Sequence, residues 1–190
     1  MQALPYAQRL ELERREPEAR RASLAGLGLV LVGAARVTQK EFPPQAFTFP
    51  PAGKPRLAGG PYFSISHSSS AVTCIVCADT DCGIDIEDRP DPAESATVAK
   101  LQRWTAIEAA LKAAGLGLRA AGEVALADRL EHAVVRSQRY ELQALEHVSD
   151  VIGHVAARQK LTPIIASLEL DDAGTSALLE RSFGLAAQID

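Results

Sequence analysis

Two acidic side chains interrupt an apolar stretch in the middle of this 190-residue chain. Residues 82–88 read CGIDIED, so Asp85 and Glu87 stand two positions apart, each next to an isoleucine. If this segment is a β-strand, side chains alternate between its faces, and both carboxylates share one face. A pair of solvent-facing acids on a half-exposed strand explains the pattern. A divalent cation explains it equally well, since Mg²⁺ takes oxygen ligands and offsets the repulsion between like charges.

A second group of polar residues recurs at helical spacing further along the chain. On an α-helix Trp104, Glu108 and Lys112 lie one above another. The same tryptophan, with Ile107 and Leu111, forms an apolar stripe that we expect to face the core. A surface ion pair beside a buried stripe accounts for this arrangement. If the helix packs beside the acidic strand, however, Glu108 supplies a third carboxylate and Lys112 can reach a phosphate.

Two stretches upstream of the acidic strand are chemically suited to phosphate. In FSISHSSS, Ser66 and His67 bring a hydroxyl and an imidazole to a predicted turn, although a single histidine at the end of a strand is more often structural. In AGKPR, Gly53 permits close backbone approach, Pro55 fixes the turn, and Lys54 carries a compact positive charge. By itself this tripeptide has little specificity.

The elements that must position these groups follow from periodicity and turn composition. Apolar spacing predicts two long helices, the second of which ends at a glycine. Strands and turns fill the segments between and after them. The predicted elements are helices over 19–35 and 96–114; a short strand over 46–49; strands in YFSISHSS, AVTCIVCA, CGIDIED, EHAVVRS, YELQALEHV, DVIGHVAAR and PIIASLEL; and a linker in DRPDPAES. This order predicts an α+β fold of two similar lobes, residues 1–93 and 94–190, each a long helix on a small antiparallel sheet.

Composition excludes several classes of function. The formal net charge is −4 and the charged fraction is ordinary, so we expect no nucleic-acid partner. The first residues lack a basic start followed by an apolar run, and the longest apolar run, 24–35, is short for a bilayer, so we expect neither a signal peptide nor a membrane span. Three closely spaced cysteines are best explained as free thiols in a reducing compartment, which predicts a cytoplasmic protein.

The order of these motifs is more specific than any one of them. GKP, FSISHS, GIDIE and W-x-x-x-E-x-x-x-K follow one another between residues 53 and 118. This set resembles the 4′-phosphopantetheinyl transferases, specifically the larger two-lobed type. The resemblance implies two pseudo-symmetric lobes with coenzyme A in the cleft between them. It also implies transfer of the coenzyme's 4′-phosphopantetheine arm to a serine of an apo acyl or peptidyl carrier protein, with release of 3′,5′-ADP. Because one chain supplies both lobes, we expect a monomer.

The resemblance implies metal and catalytic roles residue by residue. Asp85 and Glu87 would hold Mg²⁺ against the pyrophosphate, with Glu108 as the third carboxylate. Glu108, directly or through water, would also help to deprotonate the attacking serine. Lys112 would neutralise charge on the phosphates, and His67 would contact them.

The same resemblance implies the coenzyme-binding residues. Ser66 would join the histidine at the coenzyme's phosphates. Gly53, Lys54 and Pro55 would line the nucleotide end of the site. Arg21, near the start of the first long helix, would meet the 3′-phosphate.

The sequence departs from the family pattern in two places. The family's helix motif has a lysine immediately before the glutamate, where this chain has Ile107. The segment between Glu87 and Trp104 is shorter than in the larger members and lacks their phenylalanine-rich stretch. These departures keep open a coenzyme A-binding homologue with weak or lost transferase activity. A metal-dependent phosphoesterase accounts for the acids but not for the ordered motifs.

Overall fold

The computed structural model describes residues 4–51, 53–91, 93–145 and 150–161. Its α-helices are α1 (Tyr6–Glu13), α2 (Pro17–Thr38) and α3 (Ser95–Ala114), and short 3₁₀ helices span Pro44–Ala46 and Leu118–Glu123. Its strands are β1 (Phe47–Thr48), β2 (Arg56–Leu57), β3 (Tyr62–His67), β4 (Val72–Cys77), β5 (Cys82–Asp88), β6 (Val124–Leu126), β7 (His132–Val135), β8 (Gln138–Ala144) and β9 (Val151–Ala157). The strand predicted in PIIASLEL lies outside the described residues.

The α+β class and the main elements are confirmed. Both long helices form close to their predicted bounds, and Gly115 ends α3 in the left-handed conformation at φ 69° that glycine tolerates best. The short strand β1, the strands β3 to β5 and the strands β7 to β9 also form where they were expected. The charged stretch from Arg9 to Arg21 favours a solvated helix face, and α1 covers the first part of it, although its bounds were not predicted. The strands β2 and β6 were not predicted, because each is short.

The described strands form two antiparallel hairpins and one larger sheet. β1 pairs with β2, and β3 pairs with β4. The five-stranded antiparallel sheet has the order β5-β9-β8-β7-β6, so β5 is its edge strand. Because β5 pairs along its whole length with β9, the acidic strand joins strands from the second half of the chain.

Each long helix packs on one of these sheets. α2 lies on the β3–β4 hairpin, and its buried leucines share a core with Phe47 and Phe63. α3 lies across β5 and β9, where its alanines and Leu111 pack against the five-stranded sheet. Gly83 in β5 makes this approach possible, since a Cβ there would lie 1.9 Å from the Ala109 carbonyl oxygen. The contact fixes α3 directly over the acidic strand.

The helix α2 has a further property that the sequence interpretation did not anticipate. Within the described residues it is long and apolar enough, by length and composition, to cross a membrane. The sequence interpretation weighed only the apolar run 24–35, and its expectation of no membrane span stays a prediction. A core helix meets the same test, and Leu24, Leu27 and Val30 of α2 are buried against the hairpin and its neighbours.

Candidate metal and phosphate site

Two backbone N–H groups on the outer edge of β5 donate hydrogen bonds to serine side chains instead of to another strand. Ser64 and Ser66 alternate along β3, so their side chains share one face and meet the edge of β5. The Ile84 N–H donates to Ser64 Oγ at 3.2 Å, and the Ile86 N–H donates to Ser66 Oγ at 3.3 Å. We call these two contacts the serine seam. The seam explains why serine alternates with apolar residues in FSIS.

Three carboxylates meet where α3 crosses β5. Asp85, Glu87 and Glu108 each place one oxygen within 4.8 Å of the other two. The sequence interpretation required α3 to pack beside the acidic strand before Glu108 could join the pair, and the helix does so. We call these residues the acidic triad. Carboxylate oxygens at this spacing are hard ligands of the kind that Mg²⁺ and Mn²⁺ prefer.

Asp85 is the buried member of the triad, only 3% exposed. Its Oδ1 accepts hydrogen bonds from Ser66 Oγ at 2.8 Å and from Lys112 Nζ at 2.6 Å. Its Oδ2 is buried without a hydrogen-bond partner among the described residues. An unsatisfied buried carboxylate oxygen is costly. A cation bound among the triad would satisfy it.

Lys112 is therefore already engaged at the triad. Besides the bond to Asp85, its ammonium group donates to the Ile84 carbonyl oxygen at 3.1 Å and lies 4.0 Å from Glu108 Oε2. This lysine offsets part of the triad's negative charge. Its three donors are engaged by Asp85, the Ile84 carbonyl oxygen and the Ser66 hydroxyl, so its interaction with a phosphate beside the carboxylates would be that of a nearby positive charge.

Burial raises the pKa of both glutamates of the triad. The loss of solvent, followed by the nearby Asp85 charge, raises the pKa of Glu108 above its ordinary value. Burial and the Asp85 charge raise the pKa of Glu87 in the same way. The Lys112 charge and, to a smaller extent, the neighbouring Trp104 indole lower the pKa of each glutamate, but the effect of burial is larger.

The position of Trp104 corrects one expectation. This residue is 37% exposed at the rim of the triad, so it does not belong to the core-facing stripe. Ile107 and Leu111 do pack against the core, as expected. The indole faces the triad because it lies one helical turn before Glu108, on the row that meets β5.

The turn after β3 is occupied by a carboxylate of this chain. Asp88 accepts hydrogen bonds from the backbone N–H groups of Ser69 and Ser70, both at 3.1 Å, and from both hydroxyls. These bonds hold the pKa of Asp88 below its usual range. His67 is exposed at the end of β3, just before this turn. The sequence interpretation missed Asp88, whose acidic side chain directly after GIDIE was the available signal.

The predicted nucleotide-end residues lie at the other end of β5. Lys54 is half-buried and donates to the Cys82 carbonyl oxygen at 2.7 Å, and its ammonium lies 3.1 Å from Asp81 Oδ1. Gly53 adopts φ 97°, a value that favours glycine. Both residues line a cavity of about 320 Å³ that also includes Arg56 and Gly115. Cys82 is three residues from Asp85, so the cavity and the triad are about 10 Å apart along the strand.

The two remaining predicted residues, Pro55 and Arg21, are located by their positions in the fold and not by a contact with the triad. Pro55 follows Lys54 in the turn before β2. Arg21 lies near the N-terminal end of α2, half-buried.

A buried histidine opposite the triad was also missed by the sequence interpretation. His154 of β9 pairs in register with Asp85, and its Nδ1 lies 2.8 Å from Thr105 Oγ1 of α3. Burial lowers the pKa of His154 to about 4, so the imidazole is neutral at pH 7. The only signal in the sequence was a single polar residue in the otherwise apolar strand VIGHVAA.

Comparison with known proteins adds no assignment to this geometry. No protein-family model matches the chain. A search of curated proteins finds no significant match.

Proposed function

We propose that the protein is a Mg²⁺-dependent 4′-phosphopantetheinyl transferase. It takes the phosphopantetheine arm from coenzyme A and attaches it to a serine of an apo acyl or peptidyl carrier protein, releasing 3′,5′-ADP. The proposal includes the two-lobed arrangement, with the coenzyme bound in the cleft between pseudo-symmetric lobes. It also includes a monomeric, cytoplasmic protein, consistent with three free thiols.

The observation that carries this proposal is the unsatisfied oxygen of Asp85 within the acidic triad. Asp85 has a buried carboxylate oxygen with no hydrogen-bond partner among the described residues, and it belongs to a group of three carboxylates that each offer one oxygen within 4.8 Å of the other two. This combination fits a small divalent cation held by oxygen ligands. Asp85, Glu87 and Glu108 would hold the ion. When bound, it would neutralise charge on a pyrophosphate.

The chain's own residues supply the other parts of the reaction. Lys112, at the rim of the triad, places a positive charge where phosphate oxygens would lie. The carrier's serine oxygen forms a bond to the β-phosphorus of coenzyme A, and the bond from that phosphorus to the oxygen of the departing 3′,5′-ADP breaks. Glu108 accepts the serine proton, a role that its raised pKa favours. Phosphoryl-type transfer depends mainly on such positioning and charge neutralisation.

The coenzyme would extend from the triad in two directions along β5. Ser66 lies on the hairpin beside the triad, and His67 is the exposed residue that follows it at the end of β3. We keep both as candidates for contact with the phosphates. Gly53, Lys54 and Pro55 lie toward the Cys82 end, next to a cavity that contains two basic side chains. We assign the nucleotide to that end. Arg21 stays the candidate for the 3′-phosphate.

One observation favours the alternative of a coenzyme A-binding homologue with weak activity. The residue before Glu108 is Ile107, which packs against the core of α3 and the five-stranded sheet. The phosphate site therefore has one cation fewer than the resemblance implies. No observation of the described residues specifically favours a phosphoesterase.

The decisive experiment is a transfer assay by intact-protein mass spectrometry. The protein is incubated with coenzyme A, Mg²⁺ and a panel of apo carrier proteins. We expect a mass gain equal to one phosphopantetheine arm on at least one carrier, lost on chelation of the metal. No mass gain together with measurable coenzyme binding would support the binding homologue. Release of inorganic phosphate would support the phosphoesterase instead.

A matched pair of variants tests the site itself. Glu108→Gln removes one carboxylate of the triad, whereas Glu41→Gln removes the same charge from an exposed position before β1. We expect Glu108→Gln to lose transfer by at least about 100-fold, because both a metal ligand and the proton acceptor are lost. Glu41→Gln should transfer normally. Equal transfer by both variants would overturn the assignment of the triad.

A further inference from the structure

Two serines of the seam differ in one respect that bears on the triad. Ser64 and Ser66 are both buried on β3, and each accepts a hydrogen bond from a backbone N–H of β5. Only Ser66 goes on to donate its own proton to a carboxylate, Asp85 Oδ1 at 2.8 Å. It also accepts from Lys112 Nζ at 3.2 Å. Ser66 is therefore bonded to two side chains of the site as well as to the strand.

These bonds decide which oxygen of Asp85 is held by neighbouring side chains and which is not. Oδ1 is held by Ser66 and Lys112, and Oδ2 is left without a hydrogen-bond partner among the described residues. The orientation of the Ser66 hydroxyl is fixed as well, because its oxygen already accepts a hydrogen bond from the Ile86 N–H. Its own hydrogen is then best used toward the carboxylate. The carboxyl group has one orientation instead of a range of rotations.

We propose that Ser66 is a positioning residue for the metal ligand Asp85. Its hydroxyl locks the carboxylate so that Oδ2 is presented to a divalent cation before that cation arrives. This role differs from the phosphate contact that the sequence resemblance implies for Ser66. It rests on the metal site of the proposed function, and it concerns how that site is preorganised. Partners that orient a ligand in this way commonly change metal affinity by ten- to a hundred-fold.

The bond from Ser66 holds Asp85 in an orientation that costs free energy without a cation and favours cation binding. Holding a carboxylate with an unsatisfied oxygen costs free energy in the empty site. That cost is recovered only when a cation binds, so the device favours metal binding over a satisfied but inactive rotamer. Lys112 alone does not fix the rotation, since its ammonium is carried by a flexible stem.

The test is a set of three variants titrated with Mn²⁺ alone. Free Mn²⁺ is measured by electron paramagnetic resonance on the full chain at neutral pH, without coenzyme. Ser66→Ala removes both the seam contact and the bond to Asp85. Ser64→Ala is the matched control, because it removes a seam contact of the same kind from the same strand. Ser66→Thr keeps a hydroxyl at the position.

We expect Ser66→Ala to weaken Mn²⁺ binding by about ten-fold or more. Ser64→Ala should stay within about two-fold of the wild type, and Ser66→Thr should recover most of the affinity. Thermal unfolding of the two alanine variants checks that both fold and lose similar stability. A matching thermal loss with a different metal affinity separates a positioning role from a purely structural one.

Three results would overturn the inference in distinguishable ways. Equal Mn²⁺ affinity of Ser66→Ala and the wild type would overturn the role of Ser66 and leave the proposed transferase untouched. Equal weakening in both alanine variants would show that the seam, and not the bond to Asp85, supports the site. A wild-type chain that binds no Mn²⁺ would overturn this inference together with the metal site.

Discussion

Replacing Gly83 by alanine should push α3 away from β5 and so move Glu108 away from Asp85 and Glu87, although none of these three residues is substituted. The added Cβ would lie 1.9 Å from the Ala109 carbonyl oxygen and 2.6 Å from the Ala113 nitrogen, both in the backbone of α3. No side-chain rotation relieves such a contact. Ordinary contact begins at 3.4 Å, so the helix must retreat by about 1.5 Å, which is 3.4 minus 1.9.

The magnitude of this effect follows for both stability and metal binding. Overpacking of this kind costs about 1–3 kcal/mol, and a backbone that cannot repack favours the upper end. For a chain of this size, a cost of about 3 kcal/mol corresponds to a fall in Tm of roughly 6–12 °C. Two oxygens on one Mg²⁺ can lie at most about 4.2 Å apart. The triad's oxygens lie within 4.8 Å of one another, a spacing already close to this limit, so a retreat of Glu108 with the helix by about 1.5 Å should weaken metal binding.

The assay combines thermal unfolding with Mn²⁺ binding, and the chain offers two matched glycine controls. At Gly33 the new Cβ would lie 2.8 Å from the Val76 Cγ2, which a rotation can move, so Gly33→Ala should cost less stability and leave metal binding unchanged. At Gly122 an added Cβ would meet, among the described residues, no atom within 4 Å beyond the adjoining backbone, so Gly122→Ala should behave as wild type. A Gly83→Ala protein with wild-type Tm and metal affinity would refute the claim that contact between α3 and β5 assembles the triad.

Two further predictions concern single carboxylates of the site. The acidic pair in the sequence alone predicts that Asp85→Ala relieves repulsion, but Asp85 is buried and bonded to Lys112, so we expect a loss of about 2 kcal/mol in urea unfolding. Asp85→Asn keeps a carbonyl acceptor and should lose less stability, while both variants lose Mn²⁺ binding; equal stability of the alanine variant and the wild type would contradict this reasoning. Because hydrogen bonds from Ser69 and Ser70 lower the pKa of Asp88, its contribution to stability is complete above the unfolded pKa of about 3.9 and is lost as pH falls through the lower folded pKa. The free energy of unfolding should therefore fall more steeply between about pH 4 and pH 2 in the wild type than in Asp88→Asn, and parallel profiles would show that the turn does not depend on this charge.

The elements that could be predicted from the sequence are those with a strong local period. α2 and α3 repeat apolar residues at helical spacing, and α3 also ends at a glycine. The strands β3, β4 and β5 are apolar runs bounded by turn residues. Where the pattern is weak, the interpretation was less complete: the alternating charges of α1 favoured a helix face without bounds, and the three-residue β6 was missed. Their structure depends on packing against distant residues.

For the candidate site, the sequence determined the types of group and the tertiary structure determined their partners. The spacing within one strand or one helix puts Asp85 with Glu87, and Glu108 with Lys112, because those distances are set by local geometry. The packing of α3 on β5, which joins the two pairs, depends on a glycine that only matters once the helix is there.

Contacts between distant segments also decided what each polar group does. The Ser66 hydroxyl donates to Asp85, and Asp88 accepts hydrogen bonds from the serine turn. Trp104 is partly exposed at the rim of the triad. None of these follows from spacing along the chain, because hydrogen bonds between side chains depend on orientation in three dimensions. The sequence by itself thus determined that acids, a lysine and hydroxyls would be present near one strand. Only the folded chain decided that one oxygen of Asp85 would be held while the other has no hydrogen-bond partner among the described residues.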